Sequence, residues 1–152
     1  TALTINKVYL TKWDYQTQGC FAFQTGNTAS DEIITFIAPT ITDNGGGHNI
    51  ESTDANLTTA FYLIEMVYDG TLTAADRVKQ YKNGTLLSGS IAGTAPDFLT
   101  AATSTLKIGQ FGGSLTRNFN GDFGEILLYD SALTTNQRTN VENYLNRKWF
   151  LY

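Results

Sequence analysis

Residues 119–149, FNGDFGEILLYDSALTTNQRTNVENYLNRKW, join the clearest strand pattern of this chain to its clearest helix pattern. Within 122–129, Phe123, Ile126, Leu127, Leu128 and Tyr129 form a short apolar run between Gly121 and the Asp130-Ser131 pair. A run apolar on both pleat faces predicts a central strand, buried on both sides. Thr134 then offers a hydroxyl to an amide one turn ahead, and Gln137 can reach back to the Thr134 amide, which together make a capping box. Val141, Tyr144, Leu145, Lys148 and Trp149 fall at helical spacing on one stripe, and Asn136, Arg138, Asn140, Glu142 and Asn143 are expected to face water.

The rest of the chain reads as sheet. Residues 2–5 and 7–13 are rich in Leu, Ile, Val, Tyr and Thr, and residues 20–25 place Phe21 and Phe23 on one face, where both should enter a core. Residues 32–38 form another strand, ended by Pro39, which has no amide to give a ladder. Residues 61–69 are the longest apolar run and predict a central strand. Asn83-Gly84 joins residues 77–82 to 85–88 in the strongest hairpin signal, since both residues tolerate the left-handed dihedrals of a two-residue turn. Residues 105–109 read as one more short strand, and residues 40–49, 89–103 and 110–120 as loops.

Two blocks of this pattern resemble the laminin-G-like, concanavalin-A-like jelly-roll family. The first is Phe119, Gly121 and Glu125 in a strand ending Tyr129-Asp130, then Ala132-Leu133 and a helix closing on Tyr144-Leu145 and Lys148-Trp149. The second is Val67-Tyr68-Asp69-Gly70, Arg77-Val78-Lys79, Tyr81-Lys82-Asn83-Gly84 and Leu106-Lys107-Ile108-Gly109. The resemblance implies an all-β, antiparallel two-sheet jelly-roll sandwich with one C-terminal α-helix, residues 1–152 forming a single domain. It also implies one or more strands ahead of the Lys12-Trp13 hairpin, where this chain has few residues, so a strand position near the N-terminus is expected to stand empty.

Composition narrows the function. Hydrophobic residues make up 41% and charged residues 16%, an ordinary globular balance. A formal net charge of -4 and scattered basic residues argue against a nucleic-acid partner, which needs clustered Lys and Arg. No apolar run approaches a membrane span. The first residue is Thr1 rather than Met, which suggests removal of a leader or a preceding domain and an extracellular, cell-surface or virion-surface location. Cys20, the single cysteine, is expected to behave as a buried small hydrophobe.

Candidate chemistry is sparse. His48 is the sole histidine and sits beside three glycines, a poor mount for a general base. The paired same-face carboxylates of a glycoside hydrolase are missing; Glu65 and Glu125 stand alone in apolar strands, where a hydrogen-bonded structural carboxylate is expected. One Cys and one His do not make a zinc site. Calcium is the better cofactor candidate, because Asp43, Asp69, Asp122 and Asp130 lie at strand ends or loops, although plain turn aspartates fit the same spacing. For a ligand, Asn44 and His48 in the glycine-rich loop, with Tyr15 and Phe111 as exposed aromatics, are the candidate contacts. Asn56-Leu57-Thr58 and Asn83-Gly84-Thr85 are glycosylation sequons, the second on a hairpin tip.

These features predict a non-catalytic surface recognition module that binds glycan or protein through rim loops. The alternative is a structural subunit of a filament or virion that self-associates by strand addition, and a glycoside hydrolase is the remote third reading.

Overall fold

The computed structural model describes residues 5–14, 18–26, 31–38, 48–52, 54–111 and 116–152; for residues 18, 19, 48–51, 90 and 91 it describes the backbone alone. Among the described residues nine strands and one helix follow one another: β1 (Val8–Asp14), β2 (Gln18–Thr25), β3 (Ile33–Ile37), β4 (His48–Ser52), β5 (Ile64–Tyr68), β6 (Val78–Lys82), β7 (Thr85–Leu86), β8 (Ser90–Ala92), β9 (Lys107–Ile108) and α1 (Thr135–Trp149). They form two antiparallel sheets, one of six strands in the order β8-β4-β3-β2-β1-β9 and one of three in the order β5-β6-β7.

The large sheet begins as a meander, in which each strand pairs with the next, β1 with β2, β2 with β3 and β3 with β4. The chain then builds the small sheet, returns as β8 beside β4, and crosses to β9 beside β1. Strand parity decides what each face of the small sheet meets. Met66, Tyr68 and Val78 pack with Cys20, Phe21 and Ile37 of the large sheet, while Ile64 and Met66 also meet Phe23 and Ile33. Phe21, Phe23 and Cys20 are all buried, as the alternation predicts. Burial also pushes the Cys20 thiol above its ordinary pKa, which keeps it protonated and unreactive.

Gln80, on the same inner face of β6, bridges the sheets through polar atoms. Its amide nitrogen donates to the Thr35 hydroxyl at 2.8 Å, and its amide oxygen accepts from the Ser52 hydroxyl. All three side chains are buried, so each partner satisfies a group that would otherwise be left without water. A second apolar cluster, Val8, Trp13, Ala22, Ala38 and Phe111, gathers other residues of β1 and β2 with the loop after β9.

The hairpin at Asn83-Gly84 forms as expected, with φ of 50° and 78°. So does the helix cap: the Thr134 hydroxyl accepts from the Gln137 amide, and Gln137 Oε1 accepts from the Thr134 amide at 2.9 Å. No helix is long and apolar enough to cross a membrane among the described residues.

Three expectations need correction. The run at 61–69 becomes β5, an edge strand paired only with β6 among the described residues, and not a central one. Its inner face, Ile64, Met66 and Tyr68, packs on the core, and Glu65 of its outer face meets Arg138 of α1. Residues 122–129 form no strand: residues 120–133 make no backbone–backbone hydrogen bond among the described residues, and the apolar side chains of this run are exposed. An apolar run reports a tendency to be covered, whereas a ladder also needs a partner strand in reach. Finally, Glu142 and Arg138 do not face water, because α1 turns them onto the small sheet. The strands missed at β4 and β8 are short segments of mixed polarity that only pairing with each other and with β3 makes regular. The expected strand at 2–5 falls largely outside the described residues.

Candidate functional site

The site is built where α1 meets the small sheet and the segment that leads into it. On one side of the helix, Arg138 lies across the outer face of β5 and β6. Its guanidinium stacks 3.8 Å from the Tyr81 ring centroid, approaches Glu65 Oε2 at 3.9 Å, and bonds Glu142 one turn along. Glu65 and Tyr81 are register partners on neighbouring strands, so both present to the helix on one face. Glu142 is 6% exposed and lies over the Gly84 turn. A Cβ at Gly84 would stand 3.1 Å from the Glu142 carboxylate, so the helix needs glycine there for closeness as well as for its positive φ.

Glu65 Oε1 is buried with no hydrogen-bond partner among the described residues, and desolvation pushes the Glu65 carboxyl up to about 7 despite the pull of Arg138. A carboxyl titrating there is a candidate acid or base. Glu65 is covered by α1, however, and its neighbours are Arg138, Tyr81 and the Tyr152 phenol, whose own pKa it helps raise.

On the other side of the helix, Glu125 is held by three donors of α1: Tyr144 Oη at 3.2 Å, Lys148 Nζ at 3.0 Å and Trp149 Nε1 at 3.1 Å. These bonds draw the Glu125 carboxyl below its ordinary value, led by the one from Lys148. The structural carboxylate expected from the sequence is thus found, made by residues 125, 144, 148 and 149 of the resembling motif. Gly124, next to it, rides on the Trp149 ring, where a Cβ would sit 3.4 Å from the indole. Ahead of it an aromatic series ties the segment to the core, Phe23 to Tyr9 at 5.4 Å, Tyr9 to Phe119 at 5.3 Å and Phe119 to Phe123 at 4.9 Å between centroids.

Between these two anchors and the helix cap, the segment is open. Ile126, Leu127, Leu128 and Tyr129 are 39%, 42%, 61% and 47% exposed, with Phe123, Tyr144 and Trp149 exposed alongside. Scattered exposed apolar side chains are normal, but a contiguous group at this density marks an interaction surface. The sequence did contain the signal, read there as a buried strand.

The other candidates fall as follows. Tyr15, Asp43 and Asn44 lie outside the described residues, and His48 opens β4 with only its backbone described. Phe111, expected exposed, is 5% exposed, packed on Trp13 at 6.4 Å with the Arg117 guanidinium over its ring, so its face is not open to a sugar. Its glycine-rich sequence context suggested a surface loop; the Trp13 face of β1 draws the ring in. Asp69 closes its own turn, accepting from the Thr71 amide at 3.0 Å and hydroxyl at 2.6 Å, which holds its carboxyl below the ordinary value. Asp122 and Asp130 are exposed at the two ends of the open segment. Among the described residues no group of three or more His, Cys, Asp or Glu could hold a metal ion. Asn56 is exposed, and Asn83 is half-buried with its side-chain oxygen accepting from the Leu63 amide at 3.0 Å. The outward face of α1 carries an open groove of about 490 Å³ lined by Asn140, Asn143, Tyr144, Arg147 and Lys148. One helix lines it, so it gives a ligand a wall and no enclosure.

Comparison of the chain with family models, with curated proteins and with solved structures finds no match in any of the three.

Proposed function

We propose that this chain is a non-catalytic protein-recognition module of the laminin-G-like jelly-roll type, working at an extracellular, cell or virion surface and binding its partner through residues 123–129 and the adjoining margin of α1. The observation that carries the reading is the run Ile126 to Tyr129, contiguous, apolar and exposed, on backbone that pairs with nothing among the described residues. Protein interfaces are centred on such apolar and aromatic groups with a polar rim. Here Asp122, Asp130, Arg147 and Lys148 supply polar groups in or beside the surface. Rim loops gain less support, since Phe111, their candidate stacking ring, is buried. Calcium and the laminin-G-like resemblance stay with this proposal as expectations.

The test is a parallel screen of the immobilised chain against a glycan array and a displayed peptide library, repeated with the I126S/L128S double variant. Peptide enrichment that the double variant loses supports the reading. Glycan binding that the double variant keeps, with no peptide enriched, returns the function to the rim loops and overturns it.

A further inference from the structure

The recognition reading leaves open what lies on the segment, and the pattern of charge around it narrows the occupant. We propose that residues 122–130 accept an extended segment of another polypeptide, joined through backbone hydrogen bonds, apolar at alternate positions and basic at both ends. The inference rests on the recognition reading above and goes further by naming the chemistry of the partner.

Backbone comes first. Residues 120–133 carry amides and carbonyls with no backbone partner among the described residues, and they sit beneath exposed apolar side chains. A strand added along such a stretch satisfies the peptide groups and covers the side chains together, which neither a helix nor a flat surface does.

Side-chain parity comes next. Along a strand, Phe123, Glu125, Leu127 and Tyr129 share one face, and Asp122, Ile126, Leu128 and Asp130 share the other. Glu125 is tied to three groups of α1 and Gly124 rides on the Trp149 ring, so the segment is held to the helix at residues 124 and 125, and the side chains on either side of them stay exposed. Leu128 is the most exposed member of the run. The exposed side chains therefore read carboxylate at Asp122, apolar from Ile126 to Tyr129 and carboxylate at Asp130, and drawn out as a strand the segment would set the two carboxylates about 26 Å apart.

Charge then selects among occupants. Lys148 is engaged with Glu125, and no cation pairs with Asp122 or Asp130 among the described residues. A second copy of the same segment, antiparallel about Ile126, would set Asp122 against Asp130 twice. Like charges directly opposite destabilise a strand pair, so the segment resists its own copy. The same two positions favour a foreign strand with Lys or Arg at each end.

A labelled nonapeptide, Lys-Thr-Val-Thr-Val-Thr-Val-Thr-Lys, tests this by fluorescence anisotropy against the whole chain. Saturable binding is expected, and replacing the two lysines by glutamate should weaken it by about tenfold or more, the sum of two attractive pairs lost and two repulsive pairs gained. In the D122N/D130N variant that difference should shrink to about twofold or less, because the exposed pairs are gone. N-methylation of alternate peptide amides, which leaves the protein untouched, should abolish binding. Equal affinity for lysine-ended and glutamate-ended peptides, or indifference to N-methylation, overturns the proposal. Enrichment in the library screen of peptides without basic ends overturns it while leaving the recognition reading intact. Self-association at pH 7, where each copy carries a net charge of -4, that the I126S/L128S variant loses gives the site to a second copy and overturns it as well.

Discussion

Glu65 and Glu125 are the same residue type in similar apolar sequence, and their surroundings move them in opposite directions. Glu125 meets three donors, which favour its charged form. Its folded-state pKa lies below the unfolded value, so its contribution is present above that value and is lost as pH falls through the folded one. Glu125→Gln should lower the thermal midpoint at neutral pH and flatten the acid limb of a midpoint-against-pH curve below about pH 4. An acid limb identical to the parent's would remove the clasp from the account. Glu65 meets desolvation, which favours its neutral form and raises it from 4.5 to about 7. Between these values the folded state holds a proton that the unfolded state has released, so stability falls as pH rises across this window and levels off above it. Glu65→Gln, neutral throughout, should gain on the parent by at most about 3 kcal/mol from pH 4 to pH 8 in denaturant unfolding. A constant difference across that range would show that Glu65 is ionised in the folded protein.

At the scale of elements, α1 is specified locally and docked by contacts no local pattern reveals. The capping box at Thr134 and Gln137 fixes where the helix starts. Thr134→Ala leaves an orphan amide in the first turn and should cost about 1 kcal/mol. Hydrogen exchange should show the loss in the helix and in β5–β7, which it covers, before the six-stranded sheet. The docking face combines Arg138, Glu142 and Leu145; of the stripe read from the sequence, Val141, Tyr144, Leu145, Lys148 and Trp149, Leu145 is buried as expected, whereas Tyr144 and Trp149 are exposed. The reason is that Tyr81 offers a ring to a guanidinium and Gly84 offers room to a carboxylate, features that belong to the hairpin and not to the helix.

For the whole molecule, a negative net charge and an exposed apolar segment act against each other. Net charge keeps copies apart, and at the pI near 4.8 that repulsion vanishes. Light scattering across pH should show association growing toward that point in the parent chain and reduced in I126S/L128S. Association unaffected by the double variant would place the sticky surface elsewhere.

By itself the sequence determined the local features: the strands β1, β2, β3 and β6, the Asn83-Gly84 turn, the cap and extent of α1, the burial of Cys20, Phe21 and Phe23, and Glu125 as a bonded structural carboxylate. Each depends on residues close in the chain, or on alternation that a sheet of any topology respects. Only the tertiary structure decided that β5 stands at an edge, that β4 and β8 are strands at all, that Phe111 is inside, that Glu142 is buried between α1 and the Gly84 turn, and that residues 122–129 are left open. Those outcomes turn on which distant segments arrive to supply a partner. Hydrophobic pattern states what a residue needs covered; it does not say what will cover it.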